Sequence, residues 1–294
     1  MAANVGTPRF YVNILEYLGA IGYTEINDRY RTNPTSMKSS GQTITTSVPE
    51  GIFPEKSFVA YLGHAGGSLS WESEGLSSAF TEIVNGATGA SANALDPDHT
   101  GFSIASFNGL DVGTEITTYN HNEIGSIVVG AYYDMPHSPD LNLKLSYEYD
   151  GVKNIQTKGG STLSNASYTK PAKWGSMGAW QLGTDAVPNP TNFRSGRRVW
   201  DLSFSYLSDT DVMPVLGVQN YAGDDTTDIL NGTDFFSVVW NKTMSGHLPF
   251  IFQPDRDNPN ADQFAICRFD MKSLTYDQVA NNVYNVKLKI RECW

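Results

Sequence analysis

The chain has 294 residues, of which 40% are hydrophobic, 12% aromatic and only 17% charged, so it can bury a full core and is too apolar to be disordered. Its net charge of −11 argues against any bulk attraction to nucleic acid or to an anionic membrane surface. We expect no signal peptide, because the first residues lack a basic leader and a cleavage site, and no apolar run reaches the roughly 18 residues of a membrane span.

The first part of the chain predicts a few short elements around a long polar segment. Residues 8–20 fit either a short strand or a short helix. The Ser/Thr/Asn-rich stretch 24–56 predicts an extended surface arm. After it, the pattern predicts a strand at 58–62, a helix over 75–84, and strands at 101–107 and 113–119.

The second part is richer in strand signals. Residues 126–134, SIVVGAYYD, are apolar almost throughout and predict a central strand. Further strands are expected at 141–149 and 197–207, in LPFIFQP and FAICRFD, and at 283–291. Asp150-Gly151 predicts a hairpin turn, residues 158–196 a loop insertion, and Asp234 the N-cap of a helix.

Three of these runs alternate apolar and polar residues, which is typical of half-buried antiparallel strands. The apolar members are Leu141, Leu143, Leu145, Tyr147 and Tyr149; Trp200, Leu202, Phe204 and Tyr206; and Tyr284, Val286, Leu288 and Ile290. The sequence therefore predicts a mainly β protein, an antiparallel sandwich or barrel with one or two short helices and long loops. We place a region boundary between 1–125 and 126–294, and a single domain remains an open alternative.

The residue types that carry chemistry form no recognisable constellation. The five histidines are scattered without metal-ligand spacing. The acidic stretches 96–101 and 223–228 lack the register of a calcium loop, so we interpret both as solvated turns. No nucleophile elbow, phosphate loop or dinucleotide fingerprint occurs. We therefore predict no catalytic, cofactor-binding or metal-binding residue, no cofactor, and no enzymatic activity.

The two cysteines and a cluster of arginines each lead to a prediction. Cys267, one of only two cysteines, lies in an apolar run and is expected to be a buried thiol, whereas Cys293 lies near the end; two cysteines make no disulfide framework. Arg194, Arg197 and Arg198 form a local basic spot, which we interpret as a solvated or ion-paired edge.

The aromatic residues suggest a carbohydrate-binding alternative, because exposed aromatic rings stack on sugars. The candidates are Trp71, Trp174, Trp180, Trp200, Tyr132 and Tyr133. Trp200 lies on the apolar stripe of its strand and is expected to be buried. Trp174 and Trp180, in the loop-rich segment, are the better candidates for ligand stacking, with burial in a core as the competing interpretation.

Several segments resemble virion structural proteins of tailed bacteriophages, in the same order along the chain. They include SIVVGAYYDMPHSPDLNLKLSYEYDGVKNIQTKGG and SGRRVWDLSFSYLSD, and the five segments are 126–160, 168–182, 195–209, 248–255 and 264–292. The resemblance covers roughly the last 170 residues and carries over no functional residue, because the work of such proteins is assembly.

The resemblance implies a tail protein, a distal-tail or baseplate component that forms a closed six-fold ring between tail tube and tip. Its partners would be further copies of itself and neighbouring virion proteins, and its location the virion after synthesis in the host cytoplasm. We expect subunit contacts at 24–56 and 158–196, so that deleting 30–48 leaves a folded monomer that cannot assemble. The alternatives are a neck or tail-tube protein and a carbohydrate-binding module that recognises a host glycan.

Overall fold

Strands dominate the computed structural model of this chain. It describes residues 5–22, 30–32, 44–47, 56–64, 69–73, 76–79, 101–108, 115–120, 126–148, 152–166, 197–214, 232–258 and 263–293. The described residues form sixteen strands: β1 (Arg9–Asn13), β2 (Ile44–Ser47), β3 (Lys56–His64), β4 (Leu69–Ser73), β5 (Leu76–Ala79), β6 (Gly101–Asn108), β7 (Glu115–Asn120), β8 (Ser126–Asp134), β9 (Lys144–Glu148), β10 (Val152–Gln156), β11 (Thr162–Ala166), β12 (Arg197–Ser208), β13 (Phe250–Gln253), β14 (Ala265–Phe269), β15 (Tyr276–Ala280) and β16 (Val283–Glu292). Helices α1 (Ile14–Ala20) and α2 (Asp209–Val212) and a π-helix (Phe236–Asn241) complete the described elements.

The strands lie in three sheets, and every described pairing is antiparallel. The largest sheet has ten strands in the order β6-β3-β8-β1-β13-β14-β16-β12-β9, with β15 also paired to β16. A second sheet has the order β2-β7-β4-β5, and β10 and β11 form a separate hairpin. The prediction of a mainly antiparallel β protein is confirmed.

The large sheet draws its strands from both sides of residue 125. Strand β1 lies between β8 and β13, and its Phe10 is paired in register with Tyr133 on one side and Phe252 on the other. Strands β3 and β6 extend the same sheet beyond β8. The regions 1–125 and 126–294 therefore share one continuous sheet.

Strand β8 is central, as predicted, and nearly all of it is buried. It pairs with β3 on one side and with β1 on the other. Gly130 allows β1 to approach closely, because a Cβ at this position would overlap the Val12 carbonyl oxygen and lie 2.8 Å from the Ile14 nitrogen. An apolar run without alternation is what a strand covered on both faces requires.

One face of the large sheet is covered by helices, and we call it the helix-covered face. Phe10 on β1 lies there, within 5.2–6.2 Å of the rings of Phe235, Phe250, Phe252 and Phe269. The same core cluster contains Ile14, Leu15 and Leu18 of α1 and Val238, Val239 and Trp240 of the π-helix. Side chains of α1 and of the π-helix thus bury this face.

The opposite face is buried only over part of the sheet. A second cluster contains Tyr11, Phe58, Val128, Ile251 and Ile266, from β1, β3, β8, β13 and β14. On β12 and β16 this face is mostly polar, with Asp201 and Lys287 exposed. The strands from β3 to β14 are therefore buried more deeply than β16, β12 and β9.

The alternation predicted the strands correctly but not every side chain. Trp200, Leu202 and Phe204 are buried, as are Val286, Leu288 and Ile290. Tyr206, expected on the apolar face, is 78% exposed with φ of 62°, because an irregularity between Phe204 and Leu207 shifts the register. Leu207 takes the buried position instead.

The prediction for 141–149 is wrong at several positions. Strand β9 spans only Lys144–Glu148, and among the residues predicted to be apolar-facing, Leu141 is fully exposed and Tyr147 is 43% exposed. Leu143 and Leu145 pack at the margin of the core. These side chains are exposed because β9 is at the end of the described sheet and has fewer neighbours than a central strand.

The Asp150-Gly151 prediction of a hairpin between the flanking strands is also wrong. Strand β9 pairs with β12, and β10 pairs with β11 through a turn in which Gly160 has φ of 83°. Residues 76–79, expected in a helix, form strand β5. Since β4 lies beside them, tertiary pairing overrides the weak local helix signal.

Residues 8–20, which fit either a strand or a helix, contain both, because β1 runs directly into α1. Asn13 makes the junction, since its Oδ1 accepts a hydrogen bond from the Glu16 amide at 3.2 Å. Its amide group also donates to the Tyr30 carbonyl and the Thr32 hydroxyl. Asp234, the predicted N-cap, accepts the Ser237 amide at 2.9 Å at the start of the π-helix, which confirms its capping role.

The predicted polar arm at 24–56 contains structured parts. Tyr30 and Thr32 are fully buried, and Ser126 Oγ donates to the Arg31 carbonyl. Residues 44–47 form strand β2, paired with β7. Deleting 30–48 would thus remove a core tyrosine and strand β2, and we therefore expect a folded monomer only from a deletion with narrower boundaries.

Candidate functional site

A projecting hairpin is the first candidate site. Strands β10 and β11 pair only with each other among the described strands, and every side chain described from Lys153 to Leu163 is exposed except the half-buried Thr157. Thr157 closes the turn, as its amide donates to the Ser161 carbonyl at 2.8 Å and its hydroxyl accepts from the Ser161 amide at 3.1 Å. A two-stranded hairpin alone in water is marginally stable at best.

This hairpin carries an exposed apolar pair. Ile155 is 63% and Leu163 is 60% exposed, and they are directly opposite in register, so both side chains lie on one face of the hairpin. The hairpin also contains Lys153 and Lys158 but no acidic residue. Its charge is therefore +2, and since the whole chain has −11, the remainder has −13.

The end of the large sheet next to this hairpin is also apolar in places. Strand β9, which immediately precedes the hairpin in sequence, has β12 as its partner in the described structure. Leu141 is fully exposed and Tyr206 is 78% exposed. Leu141 follows Asp140 in sequence, and Tyr206 follows Ser205. The Asp140 carboxylate accepts a hydrogen bond from the Ser205 hydroxyl at 2.7 Å, which joins the two segments. An open edge strand with exposed apolar side chains is suited to contact another chain.

The second candidate site is a cleft of about 460 Å³ where β1, β3, β8 and β13 end. The end of β8 supplies Tyr132, Tyr133 and Asp134, and Arg256 follows β13. Thr210 and Asp211 of α2 line another side, together with Thr233 and Val238 around the π-helix. The Tyr133 hydroxyl donates to the Asp211 carbonyl at 2.7 Å and so ties α2 to the sheet.

Asp134 is surrounded by three cations. Arg9 binds both of its oxygens, with Nε–Oδ1 at 2.5 Å and Nη2–Oδ2 at 3.1 Å. Lys56 Nζ and Arg256 Nη1 lie 3.9 and 3.8 Å from Oδ2. These two distances allow an ion pair but not a hydrogen bond. Lys56 and Arg256 therefore keep hydrogen-bond donors available at the cleft.

Arg9 is held in place beside Asp134. Its guanidinium lies over the Tyr132 ring at 4.4 Å. Burial disfavours the charged form, but the hydrogen bond to Asp134 and the charges nearby raise the pKa of Arg9 above its ordinary value. Arg9 stays charged and fixes Asp134, while the more exposed Lys56 and Arg256 can respond to a ligand.

The predicted basic spot contains a buried ion pair at Arg198. The Arg198 guanidinium binds the Glu292 carboxylate at 3.0 Å, donates to the Phe264 carbonyl at 2.9 Å, and lies 5.2 Å from the centre of the Trp200 ring. The side chains of Arg198 and Glu292 are 15% and 3% exposed. At Arg198 the interpretation as an ion-paired group is confirmed, whereas Arg194 lies outside the described residues.

Lys242 and the cysteines are buried titratable groups away from the cleft. Burial lowers the pKa of Lys242 to about 8, although Asp234 opposes this shift. Cys267 is fully buried, as predicted, and burial raises the pKa of its thiol. Burial likewise raises the pKa of Cys293 to about 12. Both cysteines are free thiols, and both are protonated at neutral pH.

The structure separates the aromatic candidates. Trp200 is buried as predicted, and Tyr132 and Tyr133 are 8% and 7% exposed, so these three form no open stacking platform. Trp174 and Trp180, along with the acidic stretch 223–228, lie outside the described residues, and their roles stay predictions. Sequence analysis missed Arg9, Lys56 and Arg256, which are far apart in the chain and share no motif.

Within the described ranges no group of three or more His, Cys, Asp or Glu side chains is placed to hold a metal ion. None of the described helices is long and apolar enough to cross a membrane. The chain matches no protein-family model, no curated protein sequence and no solved structure. The class that the fold defines is a mainly antiparallel β protein with a ten-stranded sheet and a projecting hairpin.

Proposed function

We propose that this chain is a non-enzymatic structural subunit of a tailed-phage virion, a distal-tail or baseplate protein that forms a ring of six copies between tail tube and tip. The observation that carries the proposal is the hairpin β10–β11, whose apolar pair is exposed on a structure with little stability of its own. The collinear resemblance of five segments to virion structural proteins supports the same conclusion.

Charge supports contact between copies of the chain. The hairpin carries +2 and the rest of the chain −13, so a hairpin is attracted to the body of a neighbouring copy. The exposed residues Leu141 and Tyr206 provide apolar surface at the sheet end next to β9. A head-to-tail contact, in which one patch of a copy meets a different patch of the next, forms a ring when the rotation between copies closes and an open filament when it does not.

The test is the mass of the purified protein by light scattering, with negative-stain images of the same peak. We expect closed rings, and the double variant Ile155→Ser/Leu163→Ser should abolish them without lowering the melting temperature, because both side chains are exposed. The matched control is Gln156→Ser/Thr162→Ser, since this neighbouring pair lies on the other face of the hairpin and should leave the rings intact.

A second variant separates the arm from the core. Replacing 33–43 with a Gly/Ser linker of equal length retains Tyr30, Thr32 and strand β2 and removes only the segment between them. We expect a folded monomer that does not assemble. A wild-type chain that stays monomeric at every concentration would contradict self-assembly, and rings with the dimensions of a neck or tube would move the protein to that position in the virion.

A further inference from the structure

The cleft beside Asp134 has two chemically different walls. Lys56 and Arg256 form a cationic wall, with side chains 56% and 38% exposed, and both reach toward the same carboxylate oxygen at more than hydrogen-bond distance. Thr210, Asp211 and Thr233 line the other wall. The Thr210 hydroxyl shares a hydrogen bond of 2.9 Å with the Ser208 hydroxyl, and the Asp211 carboxylate accepts the Ser208 amide at 3.3 Å. A hydroxyl and a carboxylate each keep further lone pairs for a ligand. A ligand that fits both walls has a negative group at one end and hydroxyl groups at the other.

The cationic wall is suited to a carboxylate. Arg9 already neutralises Asp134 through a two-bond pair, so Lys56 and Arg256 are not needed for that purpose. Asp257 lies 3.8 Å from the Arg256 Nε, but its side chain is 82% exposed and its interaction is screened by water. A ligand carboxylate between Lys56 and Arg256 would gain charge-assisted hydrogen bonds that Asp134 does not make with them.

The remaining lining includes one exposed apolar residue. Pro136 presents apolar surface that can contact the C–H face of a sugar, whereas Met135 and Val238 line the cleft with side chains only 1% and 2% exposed. The cleft of about 460 Å³ lies within the range of roughly 300–1,000 Å³ that is usual for small-ligand sites. Carboxylate and hydroxyl side chains next to an apolar patch are the groups that bind sugar hydroxyls.

We propose that this cleft binds an acidic saccharide, a sugar that carries a carboxylate, with Lys56 and Arg256 on the carboxylate and Thr210, Asp211 and Thr233 on the hydroxyls. This site is distinct from Trp174 and Trp180. It does not depend on assembly, because all of its residues lie on one copy of the chain.

The test compares D-glucuronate, D-glucose and acetate by calorimetry on the full chain. Glucuronate should bind at least tenfold more tightly than glucose, which lacks the carboxylate, and than acetate, which lacks the hydroxyls. Lys56→Met and Arg256→Met should each weaken glucuronate binding about tenfold, as expected for the loss of one charge-assisted hydrogen bond. Thr233→Val should weaken glucuronate binding without changing that of acetate.

The control is Lys272→Met, which removes an exposed lysine between β14 and β15 and should leave glucuronate binding unchanged. Equal binding of acetate and glucuronate would overturn the proposal, because it would indicate an anion site only. Equal binding of glucose, no binding of glucuronate, or full binding by Lys56→Met and Arg256→Met would also overturn it. Rings that form while glucuronate fails to bind would reject this inference and leave the proposed function intact.

Discussion

The two parts of the ten-stranded sheet bury their strands to different depths. From β3 to β14 both faces carry core residues, whereas β16 and β12 are buried on the helix-covered face and largely polar on the other, and β9 packs only at the margin of the core. The neighbours Arg291 and Glu292 on β16 illustrate the two faces of this second part, since Glu292 is buried with Arg198 while Arg291 pairs with the 42% exposed Glu148. The same alternation of apolar and polar residues therefore contributes differently to the free energy of unfolding in the two parts.

The largest effect is expected in the aromatic layer of the deeply buried part. Phe10→Ala should lower the free energy of unfolding by about 3–5 kcal/mol, because it leaves a cavity among four aromatic rings. Tyr206→Ala, at a 78% exposed position of β12, should change it by less than about 0.5 kcal/mol. Urea denaturation measures both, and equal effects would contradict the difference in depth.

The two ion pairs give a second comparison. Arg198→Met should cost about 3 kcal/mol, because the buried Glu292 is left charged without its arginine. Arg291→Met should cost no more than about 1 kcal/mol, since that pair is 30% and 42% exposed. Added salt should weaken the Arg291 effect but not the Arg198 effect, and a salt-sensitive Arg198 effect would show that this pair is solvated.

Two glycines sharpen the comparison at the backbone. Gly130→Ala should destabilise the protein by about 1–3 kcal/mol, because the new methyl group collides with β1. Gly159→Ala, in the hairpin turn, should be tolerated, since the nearest atom to its Cβ is the Thr157 hydroxyl at 4.0 Å. Thermal unfolding of the two variants provides the measurement, and a stable Gly130→Ala variant would mean that β1 and β8 are more loosely packed.

The smallest effect concerns Lys242, which is fully buried close to the π-helix. Its pKa is lowered in the folded state, so the unfolded chain binds more protons above pH 8 and stability rises with pH. Between pH 7 and pH 9 the gain should be about 1 kcal/mol. Lys242→Met should lack this gain, and an identical pH profile for both proteins would place the lysine in contact with water.

Much of the strand content followed from local pattern. Residues 126–134 and 283–291 were predicted with nearly the observed limits, because apolar runs and strict alternation reflect the number of buried faces directly. Strand β15 was not predicted, since YDQVA offers little burial of its own and is fixed by pairing with β16. The cleft was also missed, because Arg9, Lys56 and Arg256 meet only after β1, β3 and β13 take their places.

Local pattern was enough to predict the class of the fold, the central strand, the buried Trp200 and Cys267, and the capping role of Asp234, because each depends on neighbours along the chain. Contacts between distant segments were needed to place β1 between β8 and β13, to expose Leu141 and Tyr206, and to pair β10 with β11. Strand order and edge position depend on contacts between distant segments, and a period of two residues carries no information about which strand lies beside which.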